Sequence, residues 1–465
     1  MYKHKARKPK KTHYDLIVVG TGAGGGVASH LAASSGKSVA VIEDMKIGGE
    51  CPNFGCVPTK ALLQAAEAYR TAETSEQFGI HIDVKVDYKK VKDWKDLAVY
   101  RTGTSEGEDL YDHEGITVIH GHAHFLDQWT ITVNGDRYKA HQFLIATGTK
   151  SVIPPIPGLS DSGFMTYRDA INVTAPPKSL FVVGGGAIGC EFAELFSSFG
   201  TKVYIADVTP RLIAGEDEEV GIMLAKIFDD RGIKIHTNSK VVRVEKTQEG
   251  KVVHFETDGT PHKVTVEEVL IASGKAPNTD LGLENAGVSY DKCGIKVDKR
   301  MRTTNKHIYA AGDIVGPYRF THTAAYQSRV AVHNMFHKEH KVSAQYHAIP
   351  RCVFVEPEIA CVGVTEQQLI DKGVLYKVGM VPISVIGRAN TTNVDDGFVK
   401  VLVNKKNKLL GASIVSPRAG EMVHELTLAI QRGMSAKAIT ETIHAFPTWS
   451  EAVRLACQKA VNAKI

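Results

Sequence analysis

The 465-residue sequence lacks long apolar stretches. No run of about 18 apolar residues occurs in it, so no segment reads as a membrane-spanning helix. Cysteine is scarce as well. The seven thiols, at 51, 56, 190, 293, 352, 361 and 457, are scattered and odd in number. That excludes a disulfide-stapled scaffold and fits a reducing, cytoplasmic setting with one catalytic pair. The N-terminal region has no apolar stretch of about 7–15 residues with a small-residue cleavage site, so a secretory leader is not expected. Acidic residues are missing from positions 1–13, which hold Lys3, Lys5, Arg7, Lys8, Lys10 and Lys11. This arm accounts for the formal net charge of +5, because the remainder carries 50 basic against 51 acidic residues. It reads as a solvated, disordered terminus, with a nucleic-acid or membrane-surface contact as the alternative. The rest of the chain has no basic excess that would point to nucleic acid.

What the sequence does contain is a repeated glycine pattern. Residues 15–20 (DLIVVG) form a short apolar run of the kind buried in a parallel sheet, and Gly20, Gly22 and Gly25 follow it. Such glycines permit a tight turn and close approach of a pyrophosphate to a helix N-terminus, where free N–H groups and the dipole favour anions. A second apolar run, 38–42, ends at Glu43, a carboxylate suited to accept hydrogen bonds from a ribose. The unit recurs: the run 179–183 leads into Gly184, Gly186 and Gly189, and the run 202–206 ends at Asp207. Glu43 lies 23 residues after Gly20, and Asp207 lies 23 residues after Gly184. LIATG at 144–148 and LIASG at 270–274 close the two units, ending at Gly148 and Gly274. Two βαβ units in one chain predict two bound dinucleotides. Pro154, Pro155, Pro157 and Gly158 mark a linker between them.

Residues 48–60 read GGECPNFGCVPTK. In an ideal helix, five steps of about 1.5 Å would separate Cys51 from Cys56 by roughly 7.5 Å, beyond normal disulfide reach. A pairing therefore needs a distorted first turn. Pro52 and Gly55 suit an irregular segment, and the pattern from 57 to 72 predicts a helix with Cys56 near its start, where the dipole favours a thiolate. On spacing alone the cysteines are either a redox-active pair or two buried neighbours.

The string G-G-x-C-x-N-x-G-C-x-P-[ST]-K resembles the signature of the FAD-dependent pyridine nucleotide-disulfide oxidoreductases, which include dihydrolipoyl dehydrogenase and mercuric reductase. The resemblance runs from about Tyr14 to the C-terminus. It implies an α/β protein with two Rossmann-like dinucleotide-binding domains, one for FAD and one for NAD, plus an α+β C-terminal dimerisation domain. The expected boundaries are 14–153 with 277–344 for FAD, 154–276 for NAD(P), and 345–465 for a homodimer interface. It further implies that Cys51 exchanges with a small-molecule or protein-bound thiol/disulfide substrate and that Cys56 lies against the flavin. Lys60 and Glu191 would pair beside the flavin, and Asp313, in IYAAGDI at 308–314, would bind its ribityl chain. NAD is expected over NADP, because Asp207 would repel a 2′-phosphate; Arg211 is the counterargument. Cys352 and Cys361 read as core residues, and no metal ligand set is expected. The activity implied is dihydrolipoyl dehydrogenase-like, with a metal-ion (mercuric reductase-type) or quinone reductase as the alternative.

One departure stands out. Family members close with H-P-T-x-S-E, whose histidine moves protons for the thiols, whereas this chain reads IHAFPTWSE, with Phe446 at that position. His444 is two positions early, and mercuric reductases share the F-P pair. Glu451 is expected to cap the last helix in a box begun by Thr448. Packing of the Phe446 ring is expected to contribute modestly to stability.

Overall fold

The computed structural model describes residues 11–104, 107–337 and 339–464, so most of the basic arm lies outside the described residues. The described chain divides into two compact units.

The first unit gathers residues up to Ala61 with Asp93–Val152 and Gly274–Ala344. At its centre five parallel strands run in the order Thr117–His120, Val39–Glu43, His13–Val19, Asp136–Ile145 and Ile308–Ala310. Strand Val39–Glu43 is buried along its whole length, which explains its unbroken apolar reading. Asp136–Ile145 also pairs antiparallel with Thr130–Val133, and that strand with Ala123–Phe125. Helix Ala23–Ser34 packs along helix Thr321–Phe336; its small residues Gly24, Gly25, Ala28, Ser29 and Ala32 are buried.

The second unit gathers Leu62–Lys92, Ile153–Ser273 and Gln345–Ile465. Its parallel sheet has the order Lys234–His236, Lys202–Ala206, Ser179–Val183 and Glu268–Ile271. A three-stranded antiparallel sheet, Ser239–Thr247, Gly250–Thr257 and Thr260–Val266, shares a core with it through Phe181, Val244, Val253, Phe255 and Val269. The C-terminal part is a five-stranded antiparallel sheet: Arg351–Val353, Glu358–Gly363, Leu409–Ser416, Phe398–Val403 and Lys377–Pro382. A hairpin turn at 404–408 joins Phe398–Val403 to Leu409–Ser416, with Phe398 opposite Val415. Helices Ala419–Gln431 and Glu451–Asn462 bury Leu426, Val453 and Cys457 in the core of this region. Helix Glu451–Asn462 lies so close to the sheet that a Cβ on Gly379 would fall 2.0 Å from the Ala456 carbonyl.

Two local expectations are corrected. The last helix starts from Ser450, without a side-chain cap, and the Thr448 hydroxyl donates to the Ala445 carbonyl (2.8 Å) instead of capping Glu451. Phe446 is 74 % exposed, so the packing expected of its ring is mostly absent. Gly387 lies against the ring: a Cβ there would come within 2.8 Å of it. Among the described residues, no helix is long and apolar enough to cross a membrane.

Candidate active site

Each glycine fingerprint sits where a parallel strand turns into a helix. Gly20 has φ +93°, and a Cβ there would lie 2.5 Å from the Ala146 carbonyl; Gly184 has φ +115°, and its Cβ would lie 2.5 Å from the Ala272 carbonyl. Only glycine tolerates both the left-handed backbone and that approach. Gly25 and Gly189 seat their helices against the same turns: added Cβ atoms would fall 1.8 and 1.9 Å from the carbonyls of Gly20 and Gly184. The LIA of each closing strand thus covers the turn of its own unit, so the repeat seen in sequence is a repeat in space.

The two acids are held alike. Thr21 donates its amide and hydroxyl to Glu43 Oε2 (2.9 and 2.6 Å), and Met45 N–H donates to Glu43 Oε1 (2.9 Å). Gly185 N–H donates to Asp207 Oδ2, and Thr209 donates its amide and hydroxyl to Asp207 Oδ1 (2.7 and 2.6 Å). Each carboxylate accepts three bonds and keeps lone-pair capacity for a ribose hydroxyl. Arg211 turns away from Asp207, its Nη2 donating to the Ala214 carbonyl at 3.4 Å. Helices Ala23–Ser34 and Ala187–Ser198 begin at Gly22 and Gly186 with no side-chain cap and no acid in the first turn. A Cβ at Gly186 would meet nothing within 4 Å. Uncapped helix N-termini with a hydroxyl-binding acid alongside, and open space at Gly186, fit a dinucleotide.

The cysteine segment is built against the first of these loops. Gly48 N–H donates to the Thr21 hydroxyl (3.2 Å), and a Cβ on Gly49 would fall 2.6 Å from Gly22 Cα. Glu50–Asn53 is a four-residue helix, more regular than the sequence suggested. The distortion lies just after it, where the amides of Phe54 and Gly55 both donate to the Glu50 carbonyl at 2.8 Å. That widened turn makes residues five apart neighbours. Cys51 and Cys56 accordingly form a hydrogen-bonded thiol pair, and Cys56 opens helix Cys56–Glu73. The contact with Cys56, followed by burial, pushes the Cys51 thiol far up from its ordinary range. Thr321, which opens helix Thr321–Phe336, places its hydroxyl 3.6 Å from Cys56 Sγ and opposes that rise at Cys51.

Lys60 lies one turn along the Cys56 helix, half-buried. Asp313 accepts a bond from the Thr149 hydroxyl (3.3 Å); burial raises its carboxyl, with Lys275 and Thr149 opposing. Gly148 and Gly274 flank the antiparallel pair Thr149–Ser151 and Lys275–Pro277: the Gly148 carbonyl takes Asn278 N–H and the Gly274 carbonyl takes Val152 N–H, each at 3.0 Å. Glu191 is buried on helix Ala187–Ser198 and accepts Phe354 N–H at 3.1 Å. Sequence reasoning missed Thr21, Thr149, Thr209 and Thr321. Thr21 and Thr149 lie beside fingerprint or strand-closing glycines and Thr209 two residues after Asp207; no sequence signal marks Thr321.

His444 donates neither nitrogen to a thiol: Nε2 is 3.0 Å from Glu425 and Nδ1 is 2.9 Å from the Thr442 carbonyl. Glu451 Oε2 is buried without a hydrogen-bond partner, and Oε1 is 4.0 Å from Arg454.

Comparison with known proteins gives the family and the fold. The family described as pyridine nucleotide-disulphide oxidoreductase matches residues 14–328, and its dimerisation domain matches 349–457. The chain is 37 % identical over 460 residues to dihydrolipoyl dehydrogenase of Geobacillus stearothermophilus, covering 97 % of each. It is 32 % identical over 448 residues to mercuric reductase of Staphylococcus aureus, covering 95 % of this chain and 82 % of that one. The solved structure of the HOCl-induced flavoprotein disulfide reductase RclA from Escherichia coli superposes with a TM-score of 0.86 at 30 % identity, covering 97 % of this chain and all of that one. Its Cu(II) complex superposes at 0.87 with 29 % identity, covering 96 % and 99 %.

Proposed function

We infer function from one premise: this chain belongs to the pyridine nucleotide-disulphide oxidoreductase family. It is an FAD-dependent oxidoreductase of dihydrolipoyl dehydrogenase type, passing electrons between NAD(H) and a thiol/disulfide substrate. When bound, FAD supplies the two-electron relay between nicotinamide and protein disulfide.

The chain's own residues divide the remaining work. In the disulfide-reducing direction, the reduced pair meets a substrate disulfide: Cys51 sulfur attacks one substrate sulfur and expels the other, which takes up the Cys51 proton and leaves as a thiol. Cys56 then attacks Cys51, closing the protein disulfide and releasing the second substrate thiolate. The observation that carries the reading is the thiol pair itself, braced on the dinucleotide loop with a hydroxyl beside Cys56. Its asymmetry supports the division of roles: Cys51 keeps its proton, so the charge of a half-ionised pair falls on Cys56, at a helix N-terminus. We assign Lys60 and Glu191 to the flavin ring and Asp313 to its ribityl chain. Gly20, Gly22, Gly25, Glu43 and Gly148 fall to FAD, and Gly184, Gly186, Gly189, Asp207 and Gly274 to NAD and its unit. The domain division 14–153 with 277–344, 154–276 and 345–465 belongs to the same proposal, as does a cytoplasmic homodimer formed through the last segment. A steady-state assay of NAD reduction by dihydrolipoamide tests the reading, and absence of turnover with any dithiol or disulfide would remove it.

One observation favours a second acceptor class. Phe446 presents no proton carrier, and general acid–base help is worth about 10²–10⁴-fold to thiol chemistry. A soft metal ion on two thiolates, or a quinone, needs little such help. The similarity to mercuric reductase, and to a reductase solved with Cu(II), supports this reading. NADH oxidation with Hg(II), Cu(II) and quinones discriminates the two.

A further inference from the structure

Helix Ala187–Ser198 carries two acids one turn apart, Glu191 and Glu194, only 6 % and 1 % exposed. Both grip the segment that follows strand Arg351–Val353. Phe354 N–H donates to Glu191 Oε1 at 3.1 Å, and Glu356 N–H donates to both Glu194 oxygens at 3.1 and 2.9 Å. Two carboxylates one helical turn apart thus take two amides two residues apart, a two-pronged fork on residues 354 and 356.

The second prong is braced by two guanidinium groups. Arg70 Nη2 lies 2.9 Å from Glu194 Oε1, and Arg231 Nη1 lies 3.4 Å from it. Arg70 is itself fixed, its Nε donating to Glu356 Oε2 (2.7 Å) and its Nη1 to the Ser198 hydroxyl. These groups, with Glu191 and the buried thiol of Cys190 on the same helix, are the charged and titratable neighbours of Glu194.

We propose that Glu194 is a positioning residue for Glu191: while ionised, it holds the shared segment 354–356 so that Glu191 faces the flavin competently, and its protonation relaxes that hold. The proposal rests on the assignment of Glu191 to the flavin made above. Burial lifts the Glu194 carboxyl to about 7, against the pull of Arg70, Arg231 and the Glu356 amide, so the change falls in the neutral range. A neutral carboxyl is a weaker acceptor for Glu356 N–H and leaves Arg70 with the Glu356 carboxylate as its remaining counter-charge.

The test compares wild type with Glu194→Gln, which keeps an acceptor oxygen but loses the charge, and with Arg70→Met, which removes the opposing cation. In the holoenzyme, stopped-flow flavin reduction by NADH should fall roughly tenfold from about pH 8 to pH 6 in wild type. In Glu194→Gln it should stay at the low value throughout, and in Arg70→Met the inflection should move to higher pH. A readout independent of activity is amide hydrogen exchange at residues 354 and 356, corrected for intrinsic pH dependence. Protection should drop below about pH 7 in wild type and not vary in Glu194→Gln. A wild-type inflection that persists in Glu194→Gln in both readouts overturns the proposal. If Glu194→Gln does not fold, an inflection unmoved in Arg70→Met overturns it. Glu191→Gln separates the layers: unchanged flavin reduction and flavin absorbance there would remove the Glu191 assignment and this proposal with it. An effect there, with none in Glu194→Gln, would remove the proposal alone.

Discussion

His444 Nε2 and Glu425 Oε1 lie 3.0 Å apart, on a side chain only 8 % exposed, while the opposite ring nitrogen faces the Thr442 carbonyl at 2.9 Å. Both nitrogens therefore face acceptors of the protein itself. The histidine nearest in sequence to the family's proton carrier is a structural tie between the segment before the last helix and helix Ala419–Gln431, and the position that should carry protons holds Phe446.

Replacement of Phe446 with His should raise dithiol or disulfide turnover by about tenfold or more, part of the 10²–10⁴ that acid–base help supplies. Because the ring is 74 % exposed, stability should change by no more than about 0.5 kcal/mol. His444→Ala should lower Tm and leave dithiol turnover unchanged. Steady-state turnover and thermal unfolding of both variants check this; a collapse of turnover in His444→Ala would make His444 the base.

The thiols should separate by role. Cys51→Ser should show a long-wavelength charge-transfer band from the Cys56 thiolate to oxidised flavin, and Cys56→Ser should show none. Absorbance spectra of the two holoproteins decide it, and a band in neither, or wild-type turnover in both, argues against the relay.

The Thr321 hydroxyl, 3.6 Å from Cys56 Sγ, favours the charged form of that sulfur, since a donor lowers the pKa of the group it bonds. Adding Thr321→Val to the Cys51→Ser background should shift the pH titration of the band upward by up to about one unit. A titration that does not move removes Thr321 from the site.

NADH should be preferred over NADPH by about tenfold or more in kcat/KM, because the Asp207 carboxylate would face a 2′-phosphate and Arg211 is turned to the Ala214 carbonyl. Asp207→Asn should narrow the ratio. An NADPH preference in wild type would mean that Arg211 swings into the site.

Lys400 is 1 % exposed, with Nζ 2.8 Å from both Glu219 oxygens, 2.5 Å from Glu366 Oε2 and 3.6 Å from Asp217 Oδ2. Lys400→Met leaves these carboxylates without their cation and should cost about 3–5 kcal/mol, read by denaturant unfolding. Burial alone would raise the Glu366 carboxyl, but Lys400 and Tyr376 outweigh it and hold it below its ordinary value. A lowered carboxyl contributes stability above its unfolded pKa and loses it as pH falls through the folded one. Wild type should therefore lose stability more steeply on acidification than Lys400→Met does.

The sequence alone determined the two nucleotide units, because buried parallel strands, glycine turns and terminal acids are set by local backbone sterics and write themselves at fixed spacing. It likewise determined the cysteine helix and the family. Tertiary structure alone decided how those parts are held. Thr21 and Thr209 could not be known to fasten Glu43 and Asp207, since one lies 22 residues from its acid and the other only two. The widened turn at Glu50 and the contact of Thr321 with Cys56, 265 residues away, follow from packing rather than propensity. So do the two errors. Thr448 has the residue type of a cap but spends its hydroxyl on Ala445, and Phe446 is apolar yet exposed, because a ring is buried only where the fold brings something to cover it.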